Sequence, residues 1–438
     1  MKKRMDYLDV AKGIAMFLVV MGHAALAYDT PYWRVAIYSF HMPLFFLVSG
    51  VVVGRAKDGW GAFIRKNVLT LLVPYLIWAL IYLPFKFESL PWVVYGSWEG
   101  LNRIGTNVAL WFLPALFCGR LMMEAVLRVI KRIGLPELPC ALAAAALSFV
   151  VGWNLPRPEM GYPLGLNSGF IALGFMLIGS ASRDLLAAAD RLGRYALVLL
   201  AVVSAALFAY GTGLRPGEHE LVAMFSFTYG NLFWFFWNAI SGCVLTLAVS
   251  SLVAKIPETG SVAGKVRHFT AWLGRNTIGI YLVHLPIIRF FIAPKLHEFG
   301  IDRLSVHGAL IDTVLTMIVC CAIIWVIQRY IPALFGRFGG MKGASAVANT
   351  VASVVGEAPR DLDEAAAKET LNAFVACAVK DGKVDFDETL ALLRAVEPLA
   401  TRCGGAYAAF RDLLLETRAD GAITAEESDR LMKAVASL

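Results

Sequence analysis

The first 25 residues carry three polar side chains whose spacing suits proton transfer. Lys12 and His23 are eleven residues apart, which on a helix is about 1100° of rotation and leaves them within about 20° of one face. Asp9 precedes Lys12 by three residues and can pair with it. Imidazole titrates near neutral pH, so His23 is suited to take a proton from a hydroxyl group. This face therefore combines a candidate base with a cation about 16 Å along the helix axis.

A second histidine could act with the first. His41 lies about six residues into the next apolar stretch, so a chain that turns back would place it at the depth of His23. Each residue alone has an ordinary interpretation: an interfacial histidine bonded to a carbonyl oxygen, or a lysine that anchors a helix end. The shared face and matched depth favour a joint role. We therefore predict His23, His41 and Asp9 as catalytic residues.

The composition shows which elements must position these side chains. Hydrophobic residues make up 58% of the 438 residues and charged residues 17%, against about 45–50% and 25% in ordinary globular chains. The chain is therefore predicted to be a membrane protein. With no CxxC among seven cysteines and no basic run among aromatics, the sequence indicates neither a disulfide framework nor a nucleic-acid surface.

Ten apolar runs are long enough to cross a bilayer, which takes about 20 helical residues. The predicted spans are 7–27, 35–54, 68–86, 107–127, 138–154, 166–181, 195–212, 226–254, 270–292 and 308–331. Because residues 225–237 are rich in aromatics, 221–254 is either one span or a span with an interfacial segment. The predicted fold is all-α and polytopic.

Alternate connections are basic, which predicts the orientation of the chain. The basic positions are Lys2, Lys3, Arg4, Arg55, Lys57, Arg65, Lys66, Arg128, Lys131, Arg132, Arg183, Arg191, Arg194, Lys255, Lys265 and Arg267. The opposite loops are poor in positive charge, so the positive-inside rule places both termini in the cytoplasm and the protein in the inner membrane. A cleaved secretory signal ending at Ala25 to Ala27 is the alternative for the first span, and Asp6, Asp9 and Lys12 argue against it.

Several segments together resemble the acyltransferase-3 family of integral membrane acyltransferases, near its sugar O-acetylase branch that includes fucose 4-O-acetylase. They are residues 8–14, 22–23, 40–46, 49–50, 74–78, 110–116 and 273–284, and the resemblance covers about 5–333. It implies a ten-helix enzyme that moves an acyl group, usually acetyl from cytoplasmic acetyl-CoA, to a hydroxyl of a glycan or glycolipid. The family pattern of a basic residue, ten residues and a histidine falls on Lys12 and His23.

The resemblance and the chemistry of CoA extend the predicted site. CoA carries phosphates, so we predict that Lys12, Arg65 and Lys66 bind the donor. Ordinary anchoring of the helix ends by these cations is the alternative. The family's paired arginines before span three are only partly present, since Asn67 and Thr70 stand where relatives often have a basic residue. We predict the acceptor-binding residues as Trp111, Asn276 and His284.

No metal is predicted at the histidines. His23, His41 and His284 could form a triad by composition, but three histidines without a carboxylate or a closely spaced pair are a weak zinc signal. The resemblance to the acyltransferase-3 family implies no metal either.

The end of the chain differs in charge and composition. Up to residue 356 there are 30 basic and 17 acidic residues, net +13; beyond it there are 10 and 16, net −6. We predict a membrane domain over 1–335, a flexible linker over 336–359 and a cytoplasmic helical domain over 360–438, with helices at 366–379, 389–400, 406–416 and 425–436.

Two Asp-Gly motifs recur in this tail at 381–388 and 420–427. They fit helix caps better than an EF-hand, because Phe386 and Leu392 occupy loop positions six and twelve. The tail resembles TerB-like helical domains, which implies an interaction module with a cytoplasmic protein partner.

A second function class stays open from the sequence. A transporter or flippase for an acyl-bearing or small polar substrate would also need a ten-helix bundle with polar residues inside. Donor hydrolysis by the purified protein would favour the enzyme, and acceptor-independent uptake would favour transport.

Overall fold

A computed structural model describes residues 5–24, 31–53, 59–83, 89–105, 107–214, 221–257, 260–336, 405–417 and 425–436, together with Leu393, Val396 and Ala400. The chain divides into two compact units, 1–336 and 337–438. The linker and most of the predicted tail motifs lie outside the described residues.

The described part of the first unit contains ten stretches long and apolar enough to cross a membrane. They are Asp6–Ala24, Tyr32–Val52, Gly59–Ile81, Val108–Ile133, Glu137–Asn154, Pro163–Ala181, Arg194–Leu214, Leu232–Ala254, Thr277–Glu298 and Val306–Tyr330. Large apolar side chains such as Leu199, Ile318 and Trp325 are more than 60% exposed on this surface. Such a surface suits lipid rather than water. The predicted all-α polytopic fold is confirmed.

The α-helices of this unit, in chain order, have the following bounds. They are α1 Asp6–Ala24, α2 Tyr32–Tyr38, α3 His41–Val52, α4 Gly59–Asn67, α5 Val73–Ile81, α6 Leu90–Tyr95, α7 Trp98–Arg103, α8 Phe112–Ile133, α9 Glu137–Asn154, α10 Leu166–Ala181, α11 Arg183–Ala189, α12 Arg194–Ala209, α13 Leu232–Ala254, α14 Val262–Arg275, α15 Thr277–Ile287, α16 Ala293–Glu298 and α17 Val306–Tyr330.

The eighth span is shorter than the predicted 226–254. Asn231 caps α13, and its side-chain oxygen accepts hydrogen bonds from the backbone N–H groups of Phe233 and Trp234 at 3.0 and 3.3 Å. The preceding residues 221–231 form a compact turn instead of a helix. That turn contains the short 3₁₀ segment Met224–Ser226 and a backbone bridge between Ala223 and Thr228.

The ninth span begins later than predicted, at residue 277 instead of 270. Residues 262–275 form the separate helix α14, which the side-chain oxygen of Ser261 caps by accepting from the Gly264 N–H at 3.1 Å. The chain leaves helical geometry at Asn276 before α15 begins. The reason is visible in the sequence, because α14 is only 14 residues long, carries Lys265, Arg267 and Arg275, and has too few apolar residues to span.

Helix α1 lies at the centre of the bundle and contacts α3, α13, α14, α15 and α17. Two glycines allow α14 to cross it closely. A side chain at Gly13 would overlap the Thr270 carbonyl, and one at Gly274 would overlap the Asp9 carbonyl. We call the end of the bundle where α1 begins the Lys12 end, and the opposite end the His23 end.

A proline inside α15 shapes the neighbourhood of His284. Pro286 has no N–H, so the carbonyl of Leu282, four residues earlier, lacks its usual helical partner. The Tyr82 hydroxyl and the Asn107 side-chain amide donate to that oxygen at 3.0 and 3.2 Å. Lipid offers no hydrogen-bond donor to the Leu282 carbonyl, so these donors from neighbouring segments provide its hydrogen bonds. The same bonds hold α15 in place.

The second unit is helical where it is described. Gly405–Thr417 forms α18 and Ala425–Ala436 forms α19, and the two helices contact each other. Phe410, Leu414 and Leu431 are buried there. The helices predicted at 406–416 and 425–436 are confirmed, whereas 366–379 and the motif at 381–388 lie outside the described residues.

Candidate active site

Three histidines from three helices converge at the His23 end. The rings of His23 and His284 lie edge to face, with centroids 5.0 Å apart. Tyr38 lies between His23 and His41, and its ring centroid is 6.1 Å from the first and 5.0 Å from the second. We call His23, Tyr38, His41 and His284 the histidine cluster. It joins residues 261 positions apart in the chain, because α1 and α15 are packed neighbours.

The three imidazoles are held in the same way. Nδ1 of each ring lies 2.8 Å from a backbone carbonyl oxygen three or four residues earlier in its own chain segment. A carbonyl oxygen only accepts, so Nδ1 carries the hydrogen and donates it. In the neutral ring Nε2 then keeps the free lone pair. Each histidine therefore presents Nε2 as the nitrogen that can take a proton.

The three histidine rings differ in how far they are exposed to solvent or substrate. His41 and His284 are 3% and 0% exposed, whereas His23 is partly exposed. Nε2 of His284 is buried and has no hydrogen-bond partner among the described residues. His23 is thus the ring that a substrate can reach, with His284 at its side.

A cation lies next to the cluster. The Arg34 guanidinium is above the Tyr38 ring, 5.0 Å from its centroid, and is near enough for its charge to act on His23. The sequence analysis did not single out Arg34 or Tyr38. The predicted second span began at residue 35, directly after Arg34, so the sequence did not mark this arginine as lying inside a span.

Asp9 and Lys12 lie far from the histidines. Their side chains form an ion pair of 2.8 Å, and Asp9 is about 21 Å from His23 along the axis of α1. Asp9 cannot contact the group that reacts at His23, so the geometry gives no support to its predicted catalytic role and places it as the partner of Lys12. Lys12 remains one-quarter exposed at its own end.

The other predicted residues divide between surface and core. Arg65 and Lys66 are exposed on α4, which begins at the Lys12 end. Trp111 is 7% exposed and packs against Phe112 and Phe225, with ring centroids 6.2 and 6.3 Å away. None of these side chains contacts the histidine cluster in the described contacts.

Asn276 is held by protein groups on both sides of its amide. Its nitrogen donates to the Trp272 carbonyl at 2.9 Å, and its oxygen accepts from Gln328 at 2.6 Å. These bonds join the α14–α15 junction to α17. Eight residues separate Asn276 from His284, about 12 Å along α15, so a part in acceptor binding has no geometric support.

Arg120 lies inside the fourth span and was not predicted as a site residue from the sequence. Its Nε donates to the Ser49 hydroxyl at 3.1 Å and its Nη1 donates to the Asn67 side-chain oxygen at 3.2 Å. Ser49 is near the end of α3 and Asn67 ends α4, so Arg120 lies in the half of the bundle nearer the Lys12 end. A lone arginine in an apolar run was the signal.

Within the described residues, no group of three or more histidine, cysteine, aspartate or glutamate side chains is arranged to hold a metal ion.

A family model for the acyltransferase domain, Acyl_transf_3, matches residues 5–327. The chain belongs to the acyltransferase-3 family. The predicted resemblance is confirmed, and the match contains the whole histidine cluster and the Asp9–Lys12 pair. The protein is a multi-pass membrane acyltransferase.

Among curated proteins, this acyltransferase is similar to the nodulation protein NolL of Mesorhizobium japonicum. The two are 25% identical over 317 residues, which cover 67% of this chain and 78% of that protein. The shared stretch is long enough to include most of the membrane-spanning unit.

Proposed function

We propose that this acyltransferase moves an acyl group, acetyl in the first instance, from acyl-CoA to a hydroxyl of a cell-surface glycan or glycolipid. The observation that carries the proposal is the partly exposed His23, whose Nε2 is free to take a proton while Nδ1 is held by a carbonyl. The acyltransferase family supports the reaction class, and the resemblance to sugar O-acetylases supports the acceptor and the donor.

His23 acts as the general base in this reaction. Its Nε2 takes the acceptor hydroxyl proton as the oxygen attacks the thioester carbonyl carbon, and the C–O bond forms. The C–S bond then breaks, and the thiolate of CoA takes the proton from the imidazolium. Products are the ester and free CoA, and the neutral ring is restored. Arg34 lies where it can stabilise the negative charge that develops on the carbonyl oxygen.

The donor enters from the Lys12 end. CoA is elongated, with phosphates at one end and the thioester at the other, and about 16 Å separate Lys12 from His23 along α1. Lys12, Arg65, Lys66 and Arg120 provide cations in this half of the bundle. Asp9 orients Lys12 rather than reacting itself.

The Lys12 end faces the cytoplasm in this proposal, because CoA is a cytoplasmic donor and the basic connections gather there. Both termini then lie inside, the protein resides in the inner membrane, and the second unit meets cytoplasmic partners. The histidine cluster faces the other side, where a surface glycan is available.

The deciding experiment replaces His23 by alanine and measures acyl transfer from radiolabelled acetyl-CoA. The expected result is a loss of at least about 100-fold, the usual contribution of a general base, in a protein that is still monodisperse in detergent. His307→Ala is the matched control, since His307 is exposed at the same end. Full activity of His23→Ala overturns the proposal. Uptake of substrate into vesicles without any donor consumption would instead show a transporter.

A further inference from the structure

We propose that a cavity of about 300 Å³ at the His23 end is a carbohydrate subsite that holds a pyranose unit of the acceptor. The inference rests on the proposed function for its choice of a glycan acceptor. The residues that line the cavity include Trp92, Trp98, Glu99, Asn102, Arg103 and Glu159. They come from the connections between spans three and four and between spans five and six, which sequence reasoning had left without a role.

The lining combines the two kinds of contact that a sugar needs. A pyranose ring has an apolar face of C–H bonds, which packs on aromatic rings, and a rim of hydroxyl groups, which bind carboxylates, amides and guanidinium groups. Trp92, Trp98 and Glu99 form the half-buried wall, and Asn102 and Glu159 are exposed at the mouth. The volume is at the lower limit of small-ligand pockets, which suits a single sugar unit.

The charge of the lining argues against the other small ligands present at a membrane. Two carboxylates, Glu99 and Glu159, face one guanidinium, Arg103. A phosphate group of CoA or of a lipid would be repelled by this net negative lining. An acyl chain would displace water from the half-buried Glu99 carboxylate, which is costly. A neutral polyhydroxyl ligand can pack on the aromatic rings and form hydrogen bonds with the polar side chains.

The wall is rigid before a ligand arrives. The Ser97 hydroxyl caps α7 by accepting from the Gly100 N–H at 3.0 Å, which fixes Trp98 and Glu99 in the first turn. The Tyr95 hydroxyl donates to the Gly161 carbonyl at 3.1 Å and ties the two connections together. Gly161 has a φ of +65°, and a side chain there would overlap the Glu99 carboxylate. Pre-organised contacts lose little entropy on binding.

One aromatic side chain links this cavity to the surroundings of His23. The Phe225 ring lies 4.8 Å from that of Trp98, and Phe225 also packs against the buried group that includes Met21, Ala24 and Tyr38. Two residues later, Phe227 is buried and its backbone has a φ of +59°. Residues other than glycine rarely adopt this left-handed conformation. Such strain persists only where the surroundings hold it, and it concentrates at functional sites. Phe225 therefore connects the cavity to the buried group that includes Tyr38 of the histidine cluster.

The test measures binding without any donor. Full-length protein in lipid nanodiscs is titrated with the methyl glycosides of glucose, galactose, fucose and N-acetylglucosamine, and saturation-transfer NMR gives the affinities. At least one glycoside is expected to bind, and Glu99→Gln is expected to weaken it by about tenfold, because a charged hydrogen bond is lost. Asn102→Ala, at the exposed mouth, is expected to weaken it several-fold without affecting the fold.

Matched controls separate the cavity from the rest of the surface. Glu298→Gln changes an exposed carboxylate at the same end, and Trp325→Phe changes an exposed indole on α17. Both should bind the glycosides as the wild type does. If no glycoside binds, or if Glu99→Gln and Asn102→Ala bind as well as the wild type, the subsite is wrong.

Acyl transfer to a soluble oligosaccharide and to a glycolipid in the nanodisc then shows which source supplies the pyranose. Glu99→Gln should raise the KM of the acceptor that is used and leave the KM of acetyl-CoA unchanged. A wild type that binds glycosides but transfers no acyl group to either acceptor overturns the proposed function and leaves the subsite standing. A wild type that transfers acyl groups while Glu99→Gln binds glycosides normally overturns the subsite alone.

Burial gives this subsite a pH dependence. Desolvation raises the pKa of Glu99 above its ordinary value, with Arg103 on its own helix and Glu159 on the facing connection as the charged groups around the cavity. Above that pKa the carboxylate accepts hydrogen bonds from the sugar, and as pH falls through it this capacity is lost. Glycoside binding should therefore weaken as the pH is lowered in the wild type and much less in Glu99→Gln.

Discussion

At the residue scale, the two ends of α1 hold side chains suited to different roles. The exposed tip of Lys12 is held by the buried Asp9 carboxylate, and His23 is held by the carbonyl of Val19. A lysine paired in this way is a positioned point charge, which suits a phosphate group. The imidazole is fixed through Nδ1, which suits proton transfer at Nε2.

Changing Lys12 tests the donor end. Lys12→Gln is expected to raise the Kd of acetyl-CoA by roughly tenfold, because a charge-assisted contact is removed, whereas Lys12→Arg should keep most of the affinity. Isothermal titration in detergent gives the values. The double variant Asp9→Asn/Lys12→Gln controls for the unpaired carboxylate that the single change leaves behind. Unchanged affinity in both variants would show that Lys12 only anchors the helix.

Arg120 provides a second test of the donor site. Its described hydrogen-bond partners, Ser49 and Asn67, are neutral, so its charge stays available to an anionic ligand. Arg120→Gln should lower donor affinity by about tenfold or more, with partial rescue by Arg120→Lys. A variant that loses thermal stability but keeps its donor affinity would indicate a purely structural arginine.

At the element scale, a close crossing of two helices determines where α15 and its His284 lie. Helix α14 approaches α1 at Gly13 and Gly274, where no side chain intervenes between the two backbones. This crossing positions the turn at Asn276 from which α15 carries His284 towards His23. Small residues at such contacts are typical of membrane helices, since lipid provides no hydrophobic drive for helix association.

Gly274→Ala should therefore destabilise the bundle. The added Cβ would overlap the Asp9 carbonyl, and relieving that overlap by shifting α14 costs about 1–3 kcal/mol. A lower melting temperature in detergent and reduced transfer activity are the expected readouts. Gly61→Ala is the control, because a Cβ there meets nothing within 4 Å. Equal stability of the two variants would mean that the crossing tolerates a wider separation.

The two units differ in chemistry at the scale of the whole molecule. The first carries the matched family domain and the histidine cluster, and the residues up to 356 have a net charge of +13. The described part of the second unit has its own buried residues, such as Phe410 and Leu414, and the residues after 356 have a net charge of −6. We propose that the second unit has a regulatory or recruiting role.

Removing residues 357–438 is expected to leave acyl transfer in detergent within about twofold of the full chain. The physical reason is that every residue proposed for chemistry lies before residue 336. Transfer assays and size-exclusion chromatography on the two chains provide the comparison, and pull-downs from cells should then differ. A monodisperse truncated protein without transfer activity would show that the second unit helps to build the donor site.

Local patterns were enough to predict much of this protein. Ten spans, the shared face of Lys12 and His23, and the helices at 406–416 and 425–436 follow from hydropathy and the 3.6-residue period, which act over a few turns. The start of span nine was wrong because apolar residues near 270 masked the amphipathic pattern of α14 and the break at Asn276. The family motifs are also short contiguous patterns, so they indicated the reaction class without the tertiary structure.

Only the tertiary structure decided which distant residues meet. His284 reaches His23 through the packing of α15 against α1, and Arg120 finds Ser49 and Asn67 on two other helices. Asn276, predicted to bind the acceptor, is hydrogen-bonded to Trp272 and Gln328. The cavity beside Trp98 is formed by two separate connections. Such contacts depend on close packing between elements far apart in the chain, and no local periodicity records that packing.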